Sequence, residues 1–367
     1  MCRANCRRTL SKQAIRINGF GISSIIPLRG AASVKRRYNT SGFKRFIATA
    51  AMAAPAGETA YPPELPAFLR QSKTERHNKY VDLERAQRNR LLAGSQTPPS
   101  AVASTTPAAA SPPASQWHRI TNDPAVAERN RYMNVEPYAA NRVKLNVAEG
   151  MCDYINASPI TLGKRRYIAT QGPKNTSVSH FYRMLQEQTG EKAVVVMLTQ
   201  THEAGREKCF QYYPLVAEES PMVLQPDTTE VKGTEEEKQA PLGEVELLDQ
   251  SNGTSPSASH DLATLDQSNP RIIHCSAGVG RSGTFIALDY LLSLLHSGAL
   301  DHLTTADSDP VAETVDLMRQ QRMMMVQGEP QFNFIYDVLR EQFLARLAGG
   351  GDGGVRGRGD AVGGADG

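Results

Sequence analysis

The chain has 367 residues, with 41 Lys and Arg against 38 Asp and Glu, for a formal net charge of +3. That length holds one large domain or two small ones and can bury a sizeable core, while the charge is too mild to imply a nucleic-acid partner. Five cysteines without a Cys-x-x-Cys pair argue against a disulfide framework or a zinc site and fit a reducing compartment, and no apolar run is long enough to cross a membrane.

Residues 1–57 form a basic leader carrying Arg3, Arg7, Arg8, Lys12, Arg16, Arg29, Lys35, Arg36, Arg37, Lys44 and Arg45, and the first acidic residue is Glu58. Two readings stand. An Arg- and Ser-rich, acid-free start is the composition of a mitochondrial transit peptide; alternatively the protein begins at Met52, lacks the leader and is cytoplasmic. Either way the leader is expected to stand outside the fold, with a single domain over residues 62–347. Leu65 to Leu92 reads as a highly charged helix with Phe68, Leu69, Tyr80, Leu83, Leu91 and Leu92 as its apolar positions. A Pro/Ala/Ser/Thr-rich insertion over about 95–115 follows, with the composition of a disordered spacer.

Folded sequence resumes at Trp117, the only tryptophan. Asp153–Ser158 and Tyr167–Pro173 alternate apolar positions as strands do, a helix opens at Phe181, and Ala193–Leu198 reads as a buried strand. Residues 217–268 are rich in Glu, Thr, Ser and Gln, with Pro221, Pro226, Pro241 and Pro256, and read as loop or disorder. Val311 to Arg322 and Phe332 to about Leu347 are helical patterns. The Gly-rich tail over 348–367 has the composition of a disordered segment.

The chemistry lies between those segments. Arg271-Ile272-Ile273-His274 reads as a strand, Cys275-Ser276-Ala277-Gly278-Val279 as a tight loop, and the apolar pattern after Gly280 as a helix. Successive N–H groups of Ser276, Ala277, Gly278, Val279 and Gly280 can turn inward as an anion nest at the positive end of the helix. Cys275 lies beneath that anion and the Arg281 fork beside it. A cysteine attacks as the thiolate, which helix N-termini and cations favour, and a guanidinium holds two phosphate oxygens bidentately. The implied reaction is in-line attack of sulfur on phosphorus, giving a phosphocysteine that water hydrolyses. Ser282 is placed to donate to the departing sulfur, and His274 to fix the loop or tune the thiol. Gly278-x-Gly280-x-x-Gly283 also satisfies a dinucleotide fingerprint, but too little chain follows to build such a sheet. A nucleotide P-loop would need Lys where Gly283 stands.

His274-Cys275-Ser276-Ala277-Gly278-Val279-Gly280-Arg281-Ser282-Gly283 resembles the signature of the cysteine-dependent protein tyrosine phosphatases, non-receptor branch. The resemblance implies an α/β fold, a twisted mixed sheet flanked by helices, and hydrolysis of phosphotyrosine on phosphotyrosyl proteins without cofactor or metal. Asn130–Leu145 is similar to the family's substrate-recognition loop, which implies that Tyr132 stacks on the phosphotyrosine ring. Asn134, where the family usually has Asp, then holds the substrate backbone. Glu203–Pro214 is similar to the loop flanking the active site, with Glu203 orienting Arg281 and Lys208 reaching toward a mobile acid loop. Met323–Gln331 is similar to the glutamine loop, with Gln327 positioning the attacking water and Gln331 assisting. The family's Trp-Pro-Asp segment, whose Asp is the general acid, has no counterpart: no Trp follows Trp117. Asp227, after Pro226, and Asp249, Asp261 and Asp266 are the conceivable replacements. Three explanations fit: a shortened splice or gene-model product, a weakly active phosphotyrosine-binding pseudophosphatase, or an enzyme with a substitute acid.

Overall fold

A computed structural model describes residues 13–17, 20–27, 61–95, 115–120, 123–190, 192–214, 222–224, 243–248, 268–303 and 308–350. In chain order the strands are β1 (Gln13–Ile17), β2 (Phe20–Pro27), β3 (Ala157–Leu162), β4 (Arg165–Thr170), β5 (Lys192–Met197), β6 (His202–Glu203), β7 (Arg206–Glu207), β8 (Met222–Leu224), β9 (Gly243–Leu248) and β10 (Arg271–His274). The helices are α1 (Lys73–Ser95), α2 (Pro124–Arg129), α3 (Val178–Gln188), α4 (Gly280–His296), α5 (Pro310–Gln321) and α6 (Glu329–Gly350).

Eight strands form one mixed sheet in the order β3-β4-β10-β5-β2-β1-β9-β8. β4, β10, β5 and β2 run parallel, while β3, β1, β9 and β8 join antiparallel. Parallel strands are buried on both faces, and the period-2 alternation of β5 and β10 divides their side chains between two cores. Val194, Val196, Ile273 and Cys275 face a core closed by α4, α5 and α6 through Ile286, Leu291, Val315, Met318, Phe332 and Tyr336. Ala193, Val195, Met197 and Ile272 face a second core built by α3 with Phe181, Tyr182 and Leu185, and by Tyr212 and Tyr213. With neighbours on both sides, β10 is held rigidly, and the loop at its C-terminal end leads directly into α4.

Several sequence expectations are corrected. The leader, expected outside the fold, supplies β1 and β2, with β2 pairing in parallel with β5 from Gly21↔Lys192 to Pro27↔Met197. The signals were its isoleucine-rich runs and the Asn18-Gly19 dipeptide between them, a strong hairpin mark. The physical cause is that the N–H and C=O groups along one edge of a central strand require partners. Within 217–268, read as loop or disorder, Met222–Leu224 and Gly243–Leu248 are strands; the Val-Glu-Leu alternation of the latter pairs Val245 with Ile17. Asp153–Asn156, expected as strand, makes only a bridge between Tyr154 and Lys144. Its polar groups go elsewhere: the Tyr154 hydroxyl donates to Asn130 Oδ1 at 2.7 Å and the Asn156 amide at 2.8 Å. The Leu65–Leu92 helix divides into a 3₁₀ turn at Ala67–Arg70 and α1. α6 runs three residues into the Gly-rich tail, to Gly350. Most of the 95–115 insertion and the tail beyond Gly350 lie outside the described residues. Among the described residues no helix is long and apolar enough to cross a membrane.

Candidate functional site

The site grows from the end of β10. Cys275 is buried at 4% exposure, and the Gly278 N–H donates to its Sγ at 3.2 Å. Gly278 has φ +72°, and a Cβ there would lie 2.2 Å from Thr170 O, so only glycine lets the loop curl over the thiol against β4. The Ser276 carbonyl accepts from Gly172 N–H at 3.0 Å, and Val279 O accepts from Gly283 N–H at 2.9 Å, fixing both limbs of the loop. Ala277 is half-buried, whereas Ser276, Val279 and Gly280 are buried.

Arg281, in the first turn of α4, is locked by two bonds to Glu203, Nη1 to Oε1 at 2.5 Å and Nη2 to Oε2 at 2.9 Å, with Nη1 also donating to Leu198 O at 3.1 Å. The bonds from Arg281 hold the Glu203 carboxyl down to about 2, so the pair stays ionised at neutral pH. The Lys208 backbone carbonyl accepts from Ser276 Oγ at 2.8 Å. Because that bond uses the only Ser276 hydroxyl proton, the 2.8 Å contact between Tyr132 and Ser276 is donated by the tyrosine. Tyr132 thus stands half-buried at the loop rim, with Asn134 exposed two residues on.

The far wall is the turn after α5. A Cβ on Gly280 would sit 3.0 Å from Gln331 Nε2 and 3.4 Å from Gln327 Cβ, placing both glutamines over the start of α4. One on Gly283 would meet Val326 N at 2.4 Å, so a glycine is needed for the turn to pack this closely. Ser282 is fully buried, and its Oγ has no hydrogen-bond partner. Such a hydroxyl is costly unless it serves something transient. The four aspartates weighed as replacement acids lie outside the described residues.

His274 is fully buried. Its Nδ1 lies 3.2 Å from Cys275 O, which only accepts, so the ring proton sits on Nδ1, and Nε2 accepts from the Tyr212 hydroxyl at 2.8 Å. Burial lowers its pKa from 6.5 to about 4. Above pH 6.5 the ring is neutral folded and unfolded, and stability does not depend on it. Between 6.5 and about 4 the unfolded chain takes up a proton that the folded chain refuses, so stability falls as pH falls. The expected loss is on the order of 3 kcal/mol. Urea unfolding at stepped pH checks this: His274→Asn should flatten the slope in that window, and an unchanged slope assigns it to other groups.

Sequence reasoning missed the supports. Arg322 is fully buried beneath the loop: Nε donates to Gly278 O at 2.9 Å, Nη2 to Ala277 O at 3.1 Å and to Asn156 Oδ1 at 2.7 Å, and Nη1 to Ser158 Oγ at 3.1 Å. Burial lowers its pKa to about 10, leaving it charged at neutral pH. Arg131 grips Gly172 O and Pro173 O at 3.1 and 2.7 Å, next to Tyr132. An arginine at a helix end reads in sequence as a solvated cation, and nothing local marks these as buried.

Comparisons with known proteins agree with this geometry. A family model described as protein-tyrosine phosphatase matches residues 126–265 and 257–341, more than half of the chain. Tyrosine-protein phosphatase 2 of Schizosaccharomyces pombe is 34% identical over 239 residues, 59% of this chain and 34% of that protein. Human tyrosine-protein phosphatase non-receptor type 13 is 37% identical over 240 residues, 58% of this chain and 9% of its own length. Rat tyrosine-protein phosphatase non-receptor type 2 is 33% identical over 256 residues, 61% of this chain and 58% of its own length. The chain therefore spans less than two thirds of the length of each of these relatives.

Proposed function

The chain belongs to the protein tyrosine phosphatase family, and from that membership we propose that it hydrolyses phosphotyrosine on proteins through a phosphocysteine intermediate. The observation that carries the reading is the set of three groups around one point: Cys275 Sγ under the Gly278 N–H, with the Arg281 fork held beside it by Glu203. Phosphate oxygens are taken by the loop N–H groups and Arg281, donors already in place before charge shifts in the transition state. Cys275 sulfur attacks phosphorus, the bond to the tyrosyl oxygen breaks, and that oxygen leaves with the electron pair. Water positioned by Gln327, with Gln331 beside it, then attacks phosphorus, the P–S bond breaks and the thiolate is regenerated. The uncommitted Ser282 hydroxyl stabilises the departing sulfur, and Tyr132 at the rim receives the substrate ring. By the family likeness Asn134 takes the substrate backbone and Lys208 reaches toward the acid loop.

The protonation of the leaving oxygen is where this chain departs from its relatives. The sequence basis for this is that no Trp follows Trp117, so the Trp-Pro-Asp segment expected to carry the acid has no counterpart. A tyrosyl leaving group has a conjugate acid of pKa about 10, and general-acid help is worth ~10²–10⁴-fold. A second reading, a phosphotyrosine-binding protein with little turnover, draws on the same absence of a second tryptophan. Phosphate release from a phosphotyrosyl peptide and from an activated aryl phosphate separates them. With the acid lost, the activated ester is expected to turn over and the peptide to lag by about 10²-fold or more beyond its intrinsic reactivity. Equal handling of both identifies a substitute acid. Peptide binding without hydrolysis of either ester overturns the enzyme reading in favour of the binding one.

A further inference from the structure

The turn that presents Gln327 is strained. Met324 (φ +59°) and Val326 (φ +58°) both occupy the left-handed region, a severe position for a β-branched valine. Strain of this kind persists only where the surroundings impose it. Part of the restraint comes from the reactive loop and from α5: Val326 N–H donates to Val279 O at 3.2 Å, and Arg319 donates to Met325 O and Val326 O at 3.0 and 2.9 Å. The rest comes from one face of α1. His77 lies 3.1 Å from Glu329, the Tyr80 hydroxyl donates to Gln327 O at 2.7 Å, Glu84 pairs with Arg319 at 2.8 Å, and Gln87 Oε1 accepts from Met324 N–H at 3.1 Å. Positions 77, 80, 84 and 87 fall on a single helical stripe; Tyr80, Glu84 and Gln87 reach the turn or the arginine that holds it, and His77 reaches Glu329 where α6 begins.

We propose that α1 acts as a clamp on the glutamine turn, with Tyr80 and Gln87 as positioning residues that set where Gln327 holds water for the second half-reaction. The proposal rests on the phosphocysteine reading above. In that half-reaction water oxygen bonds to phosphorus, the P–S bond breaks, and the products are the thiolate and dihydrogen phosphate. Tyr80 touches no reacting atom; it acts through the Gln327 backbone. Its ring is independently seated, 5.7 Å from the Phe332 ring centroid and under the Arg319 guanidinium at 5.6 Å, so removing the hydroxyl leaves the packing in place.

The test is Tyr80→Phe in the full chain, with Gln87→Met as the second variant. Amide hydrogen exchange at Met324 and Val326 is expected to speed up by about 3- to 10-fold, the scale of one hydrogen bond. With an activated aryl phosphate, whose leaving group needs little protonation, the second step is expected to limit turnover. There kcat should fall by about 3- to 10-fold with KM falling in parallel, kcat/KM holding steady, and acid-quenched protein showing more phosphocysteine. A merely structural loss would lower kcat and kcat/KM together, and that result overturns the proposal. Unchanged exchange in both variants overturns the clamp itself, whatever the kinetics. A wild-type chain that exchanges as expected but never forms phosphocysteine overturns the catalytic reading, and with it the positioning role.

Discussion

Exchange of Cys275 for serine is expected to lower phosphate release from an activated aryl phosphate on the order of 10⁴-fold or more. The two side chains are close in shape, and the site at 4% exposure leaves little room for rearrangement. The Gly278 N–H that donates to sulfur at 3.2 Å can donate to a hydroxyl oxygen in the same place. What is lost is nucleophilicity, because an alcohol attacks phosphorus only with a base to take its proton, and the neighbouring His274 is oriented away, donating to a carbonyl and accepting from Tyr212. The fold should therefore survive: an unchanged melting temperature and retained phosphotyrosyl-peptide affinity, read by calorimetry, would accompany the dead reaction. A serine variant with turnover comparable to the parent would remove Cys275 from the mechanism.

Arg322→Met should produce the largest structural loss. Methionine fills much of the stem volume but leaves Gly278 O, Ala277 O, Asn156 Oδ1 and Ser158 Oγ without their donor. Each buried unsatisfied group costs about 1–3 kcal/mol. Partial relaxation brings the expected total to about 3 kcal/mol, or several degrees in melting temperature. The same change frees the peptide units of Ala277 and Gly278 to rotate, so their N–H groups no longer converge on an anion. Added inorganic phosphate, which should raise the melting temperature of the parent by mass action, is expected to raise that of the variant much less. A variant that melts with the parent and responds equally to phosphate would show that the loop holds its shape without the arginine.

The two variants probe different kinds of residue, and the difference bears on what could be read from the chain alone. Cys275, the glycines and Arg281 lie within seven residues, so their chemistry is legible locally: a strand, a loop too small for any role but binding, and a helix start. Glu203 and Gln327 emerged only through resemblance to a family, since a Glu in a charged hairpin and a Gln after a run of methionines carry no mark of their own. Arg322 and Tyr80 gave no sign at all. The hydroxyl of Tyr80 reaches a carbonyl 247 positions away, and Arg322 reaches Gly278 across 44.

The leader and the acidic segment make the same point at the level of the fold. Composition set residues 1–57 apart because they lack acids, and 217–268 because they are polar and rich in proline. Yet Phe20–Pro27 lies against β5, and Gly243–Leu248 against β1, because a sheet edge recruits extended chain through backbone groups that composition does not record. The sequence by itself determined the reactive loop and its anion-binding character, because these depend on neighbours along the chain, while the α/β class came through the likeness of whole motifs to a family. Tertiary structure alone decided which arginines are buried, which helix restrains the glutamine turn and which strands close the sheet, because burial and backbone pairing are properties of groups brought together from distant positions.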